Sequence, residues 1–228
     1  MARKPASDFS SLAGLLAGDD LPHLKSLGRR ERRAAETCLR LFRCALQLFA
    51  EHGFQNVTVE DITEAADVGK GTFFNYFESK DDVLGVMAEI QLGKVREALA
   101  AARSGEGSIK MVFHHMLERM AEEPGRSPQL ARALLASFLA SERIRKLIDH
   151  TLCEARKILV QIVEIGQRNG EIDPALKKDQ LALLVQQSFL GTVMVWSLHG
   201  KPKLNHKVEM TFQYLWRAIS VPGREPMR

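Results

Sequence analysis

Apolar residues recur at helical spacing from about residue 34 to residue 220. In 34–52, Arg40, Arg43, Gln47 and Glu51 gather on one narrow stripe, while Leu39, Leu41, Phe42, Ala45, Leu46, Leu48 and Phe49 cover the rest. That pattern predicts a helix packed over most of its circumference, ended by Gly53, where a left-handed backbone is easiest. Two short helices are expected next, at about 58–66 and 70–77. Longer ones follow near 80–103, 108–122, 128–139, 141–169, 176–199 and 204–220. The breaks fall at Gly69, Gly105-Glu106-Gly107, Glu123-Pro124-Gly125, Asn169-Gly170, Asp173-Pro174 and Gly200-Lys201-Pro202. No alternating run of β-branched residues is long enough for a strand, so the predicted fold class is all-α.

Residues 1 to about 28 are rich in Ser, Gly, Ala and Leu with little periodicity, which predicts a mobile arm containing at most one short helix. It leads into Arg29, Arg30, Arg32 and Arg33. A solvated basic helix start and a minor-groove arm are equally open readings of that cluster.

The stretch from Gly53 to Lys80 carries the chemistry. Thr58 is a plausible N-cap with Asp61 three residues on as its capping-box partner. The helix it starts puts Ile62, Ala65 and Ala66 on one face. Asp67-Val68-Gly69 then turns the chain into a second short helix from about Lys70. Two short helices joined this way form a helix-turn-helix, whose second helix can fill a major groove. Phe73 and Phe77, one turn apart, should anchor that helix. Gly71, Thr72, Asn75 and Tyr76 then point away from the anchor, giving a small, donor-rich face suited to base edges and phosphates. For Tyr76 a core position is the competing reading. Ser79 is placed to cap the next helix, where Lys80 and the helix N-terminus favour a phosphate.

These residues resemble the DNA-binding domain of the tetracycline-repressor family. The match runs through Leu48-Phe49, Gly53-Phe54, Thr58, Ile62, Ala65-Ala66, Val68-Gly69, Lys70-Gly71-Thr72, Phe73, Tyr76-Phe77 and Ser79-Lys80. Order, spacing and residue type all agree, over roughly the first third of the folded part. The resemblance implies that Thr58, Tyr76 and Lys80 contact phosphates, and that Lys70, Gly71, Thr72 and Asn75 face the major groove. Phe74 departs from the family, which often has a tyrosine there whose hydroxyl reaches the DNA backbone. The acidic residues Glu60, Asp61 and Glu64 also leave Lys70 as the sole cation of the recognition helix. Nonspecific attraction must then come largely from Arg29–Arg33, Arg40 or Arg43, Lys80 and helix N-termini.

Composition narrows the alternatives. The 228 residues are 45% hydrophobic and 26% charged, ordinary for a globular protein. A net charge of +4 permits a polyanionic partner without demanding one. Cys38, Cys44 and Cys153 lack ligand spacing and suggest reduced thiols in a cytoplasmic protein. Leu181–Leu198 is the most lipid-like stretch, but Gln186, Gln187 and Ser188 within it favour a buried helix over a membrane span. His114, Glu118 and Glu122 fall at i, i+4 spacing beside His115; a metal site is conceivable there, and a solvated or pocket-lining face is preferred. No nucleophile elbow, zincin, P-loop or dinucleotide motif occurs, so no enzyme activity and no cofactor is expected.

Beyond about residue 90 the resemblance fades. Met111, Phe113, Met116, Met120, Leu134, Phe138, Leu152, Leu159 and Ile162 form an apolar, partly flexible set that could enclose a hydrophobic effector, although plain core explains most of them. Leu181, Leu184, Val185, Ser188, Gly191, Thr192 and Val195 share a broad face of the next-to-last helix. The last helix offers Leu204, Val208, Phe212, Leu215 and Ile219. By resemblance, these two helices pair with their copies in a second subunit, with intramolecular packing alone as the alternative. The expected plan is therefore an arm at 1–30, a three-helix helix-turn-helix domain at 31–82, and a larger effector-binding and dimerisation domain at 83–222. The expected function is a dimeric repressor binding a pseudo-palindromic operator in double-stranded DNA and released by a small hydrophobic molecule. Rival readings are a regulator with no small-molecule effector, and a helical ligand-binding protein or enzyme whose helix-turn-helix only packs.

Overall fold

The computed structural model describes residues 28–105, 107–138 and 141–221. Of the predicted arm, residues 1–27 therefore lie outside the described residues. What is described is helical: α1 (Arg29–His52), a 3-10 turn (Phe54–Asn56), α2 (Val59–Ala65), α3 (Lys70–Phe74), α4 (Lys80–Ser104), α5 (Ile109–Ala121), a second 3-10 turn (Pro124–Arg126), α6 (Pro128–Ser137), α7 (Glu142–Arg168), α8 (Lys178–His199) and α9 (Leu204–Ile219). Helix α1 begins five residues before the hydrophobic periodicity does. Arg29, Arg30, Arg32 and Arg33 are exposed in its first turn, and the Arg32–Glu36 pair at 3.5 Å supports it at i, i+4 spacing. Periodicity of burial cannot register a turn that buries nothing.

The chain divides into two compact units. One gathers residues up to Gln91 with Arg132–Asp149, and the other Leu92–Ala131 with the residues from His150 onward.

In the first unit, α1 buries Ala35, Cys38, Leu41, Phe42, Ala45, Leu46 and Phe49. Phe49 meets Phe54 edge-on at 5.0 Å between centroids, fixing the exit from α1. Gly53 sits between them at φ 79°, a conformation that favours glycine. The start of α4 is held by Asp82, a buried carboxylate. It accepts the backbone N–H groups of Glu78 at 2.7 Å and Ser79 at 3.1 Å, and it pairs with Arg143 Nη2 at 2.6 Å. Ser141 caps α7 through the Ile144 N–H and approaches Asp81 Oδ2 at 3.4 Å.

In the second unit, α9 packs on both α5 and α8. Val112, Phe113, Met116 and Leu117 of α5, Val185, Val193 and Trp196 of α8, and Val208, Phe212 and Trp216 of α9 are buried. Thr192 and Thr211 hydrogen-bond across α8 and α9 at 3.1 Å, and the Trp196 indole donates to the Pro202 carbonyl at 2.7 Å. Glu171 caps α5, accepting from the Ile109 and Lys110 N–H groups. Lys94 is buried, and its ammonium reaches Arg119 O at 2.5 Å and Glu123 Oε2 at 2.6 Å. A buried charge is tolerated because it is paired and also closes the carbonyl end of α5.

Two sequence expectations, at Met111 and in α8, change here. Met111 is exposed, neither core nor among the residues lining the cleft between α5, α8 and α9. His114 lies between Glu118 and Glu209, one carboxylate on each ring nitrogen, so these ligands do not converge; Glu122 instead approaches Lys94 at 3.4 Å. Helix α8 has the length and composition of a membrane span but is not a wholly buried helix. Leu181, Val185, Ser188 and Thr192 turn inward or lie half-buried, whereas Leu184, Gly191, Met194, Val195 and Leu198 face outward. The broad face expected from sequence is two faces, because α9 covers only one side of α8.

Candidate nucleic-acid interface

Helix α2 starts with the predicted capping box. The Asp61 N–H donates to Thr58 Oγ1 at 3.1 Å, while the Thr58 N–H and hydroxyl donate to Asp61 Oδ2 at 2.7 and 2.8 Å. Those hydrogen bonds hold the Asp61 carboxyl below its ordinary range. The buried face of α2 is Ile62, Thr63 and Ala66 rather than Ile62, Ala65 and Ala66. Thr63 is admitted because its hydroxyl donates to the Glu60 carbonyl at 3.0 Å, which removes the polar penalty. Ala65 is exposed, its carbonyl 3.5 Å from Cys44 Sγ.

The turn into α3 takes its positive φ at Asp67, φ 50°, and the Val68 N–H closes it onto Thr63 O at 3.0 Å. Gly69, the last residue of the predicted turn, is the extended N-cap of α3. Phe73 and Phe77 are fully buried with ring centroids 5.2 Å apart. They anchor the helix as predicted and fix which side turns outward.

Outward lie Lys70, Gly71, Phe74 and Asn75, all exposed, with Thr72 and Tyr76 half-buried on the flank. Gly71 meets nothing within 4 Å where a side chain would begin, so the backbone there is open to close approach. Tyr76 is neither core nor free: partial burial, with Cys38 nearby, pushes its phenol above the ordinary value. It stays a neutral donor at neutral pH.

Three of the side chains expected to contact DNA, Lys70, Thr58 and Lys80, already have partners within the protein. The Lys70 ammonium pairs with Glu60, and that hydrogen bond lowers the Glu60 carboxyl from its ordinary range. Thr58 is held by Asp61. Lys80 Nζ donates to the carbonyls of Phe54 at 2.8 Å, Gln55 at 3.3 Å and Val57 at 2.8 Å, and lies 4.6 Å from the Phe54 ring centroid. An ammonium has three protons, and three carbonyls take them. The structure therefore gathers Lys70, Gly71, Thr72, Asn75 and Tyr76 around one short helix. Thr58 and Lys80 stand beside it as parts of the scaffold as well.

Sequence reasoning missed Glu60 as the partner of Lys70, and Asp82 with Arg143. Ser79-x-x-Asp82 has capping-box spacing and was readable; Arg143, 61 residues from Asp82, left no local signal.

Residues 41–87 match the profile of the bacterial regulatory proteins of the tetR family. The HTH-type transcriptional repressor DhaR of Mycobacterium sp. (strain GP1) is 54% identical over 158 residues, covering 65% of this chain and 76% of that one. The chain belongs to the tetR family. The HTH-type transcriptional regulator TcmR of Streptomyces glaucescens is 29% identical over 162 residues, covering 56% of this chain and 72% of that one. FadR from Bacillus subtilis, solved in complex with stearoyl-CoA, superposes with TM-score 0.62 at 20% identity and covers 78% of this chain and 96% of its own, so it shares the fold. This tetR-family chain is thus a helix-turn-helix transcriptional regulator that binds DNA.

Proposed function

We propose that this regulator is a dimeric repressor that occupies a pseudo-palindromic operator and leaves it when a small apolar effector binds. The observation carrying the DNA reading is the outward surface of α3, a short helix anchored by Phe73 and Phe77 and presenting Gly71 and Asn75 to solvent. Lys70, Gly71, Thr72 and Asn75 face the major groove; Thr58 and Tyr76 meet phosphates. Lys70 exchanges Glu60 for a DNA acceptor on binding. Lys80 adds positive charge to the phosphate path while its protons stay with the carbonyls.

One short recognition helix makes too few base contacts for a specific site, which calls for a second copy. The outward face of α8 with Met210 and Tyr214 of α9 supports the place: Leu184, Met194, Val195, Leu198, Met210 and Tyr214 are exposed on adjoining helices, around Gly191. A second copy of the same face is its occupant, because an isologous contact gives the two-fold symmetry that a palindrome matches. Recognition helices then fall about 34–36 Å apart.

The effector site we favour is the cleft lined by Leu117, Val185, Ser188, Phe189, Thr192, Val208, Thr211, Phe212 and Leu215, apolar apart from three hydroxyls. It has room for about one water molecule. An effector must therefore widen it, and a ligand that binds only the widened form shifts the population away from the DNA-competent one. The acyl chain carried by FadR supports an apolar ligand class in this fold.

The test is site selection from random duplexes with the full chain, followed by anisotropy titrations. Tyr76→Ala should weaken binding to all duplexes with little change in the salt slope, because the phenol is neutral, whereas Asn75→Ala should change the preferred base at one position per half-site. Unchanged affinity and preference for both variants would refute the assignment.

A further inference from the structure

We propose that Phe74 is a specificity-determining residue that reads the C5-methyl group of a thymine in each operator half-site. The inference rests on α3 being the DNA-reading helix and adds a chemical target to it. Phe74 is 41% exposed, whereas its neighbours Phe73 and Phe77 are fully buried. Among the described residues of the first unit, Phe74 alone of the large apolar side chains is exposed; the others that are, Met111, Leu184, Met194, Val195, Leu198, Met210 and Tyr214, belong to the second.

Its direction is set. Asn75, the C-cap of α3, keeps helical backbone (φ −74°, ψ −21°), and the Tyr76 and Phe77 N–H groups both bond the Phe73 carbonyl, at 2.9 and 3.0 Å, so the helical turn of about 100° per residue carries on past Phe74. The buried Phe73 and Phe77 then leave Asn75 opposite the anchor, with Phe74 on one side of it and Tyr76 on the other. The edge-on contact with Phe73, 5.6 Å and 87°, holds the ring against a fixed neighbour. Gly71, one turn earlier, leaves open space beside the ring for a base edge to enter.

Chemistry then selects the target. A phenyl ring can neither donate to a phosphate nor pair with the N7, O6, O4 or amino groups of base edges. Of the groups that the four base pairs present in the major groove, only the thymine methyl is apolar. A tyrosine at this position would have a hydroxyl for the backbone; phenylalanine exchanges that sequence-blind contact for an apolar one that depends on the base.

The test uses the full chain and the duplex obtained by selection, with each thymine replaced in turn by deoxyuridine, which removes only the methyl. At one position per half-site the wild-type protein should bind about fourfold more weakly. Phe74→Ala should be indifferent at that position, and Phe74→Leu should keep part of the discrimination. Wild-type affinity unchanged by every deoxyuridine, or a deoxyuridine penalty undiminished in Phe74→Ala, would overturn the proposal. If Asn75→Ala still shifts base preference in that case, the DNA-facing assignment of α3 survives and only the role of Phe74 falls. Failure to select any duplex would remove both.

Discussion

Lys80 Nζ lies 2.8 Å from the carbonyl oxygen of Val57, at the mouth of α2, and equally close to that of Phe54. One side chain at the start of α4 thus closes the carbonyls of the loop joining α1 to α2. The residue that resemblance assigns to phosphate binding is also a strut of the domain.

Lys80→Met keeps the aliphatic stem and removes the ammonium, leaving part-buried carbonyls without donors. It should destabilise the protein by about 1–3 kcal/mol in urea unfolding. Operator affinity should fall at the same time. Unchanged stability with weaker DNA binding would show that the carbonyl contacts contribute nothing.

Asp82 is 2% exposed and binds two backbone N–H groups and Arg143. Arg143→Ala leaves the buried carboxylate with backbone donors only, and should cost less than Asp82→Ala, which takes the acceptor away from the Glu78 and Ser79 N–H groups in the turn before α4. For Asp82→Ala about 1–3 kcal/mol is expected, the cost of leaving part-buried N–H donors without an acceptor. Equal effects of the two variants in denaturant titrations would contradict this order.

The outward face of α8 and α9 offers a direct test of assembly. Val195→Asp places a charge at its centre, where desolvation on pairing is most costly. Sedimentation should find the variant monomeric with little loss of helicity, and operator affinity should fall with it. A variant that remains dimeric would move the interface elsewhere.

Burial raises the Cys38 thiol to about 12. The folded state then keeps a proton that the unfolded chain releases in the ordinary thiol range, so stability is complete below that range and declines as pH rises toward about 12. Cys38→Val should flatten that alkaline decline. At neutral pH a thiol reagent should modify the half-buried Cys44 and Cys153 well before Cys38. Rapid labelling of Cys38 in the folded protein would disprove its burial.

Local patterns made much of this protein legible. Helix order, the capping box of Thr58 and Asp61, the anchoring of α3 by Phe73 and Phe77, and the outward placement of Asn75 all follow from spacing within a few turns, because backbone periodicity and cap chemistry act over that range. What the chain order leaves open is which of several satisfied partners a side chain chooses. Lys80 turns to carbonyls 23 to 26 residues away, Lys70 to Glu60, and Arg143 to Asp82, while α9 shields one side of α8 and leaves Val195 exposed. Such choices compare interaction energies between segments distant in sequence, and only packing in three dimensions brings those segments within reach.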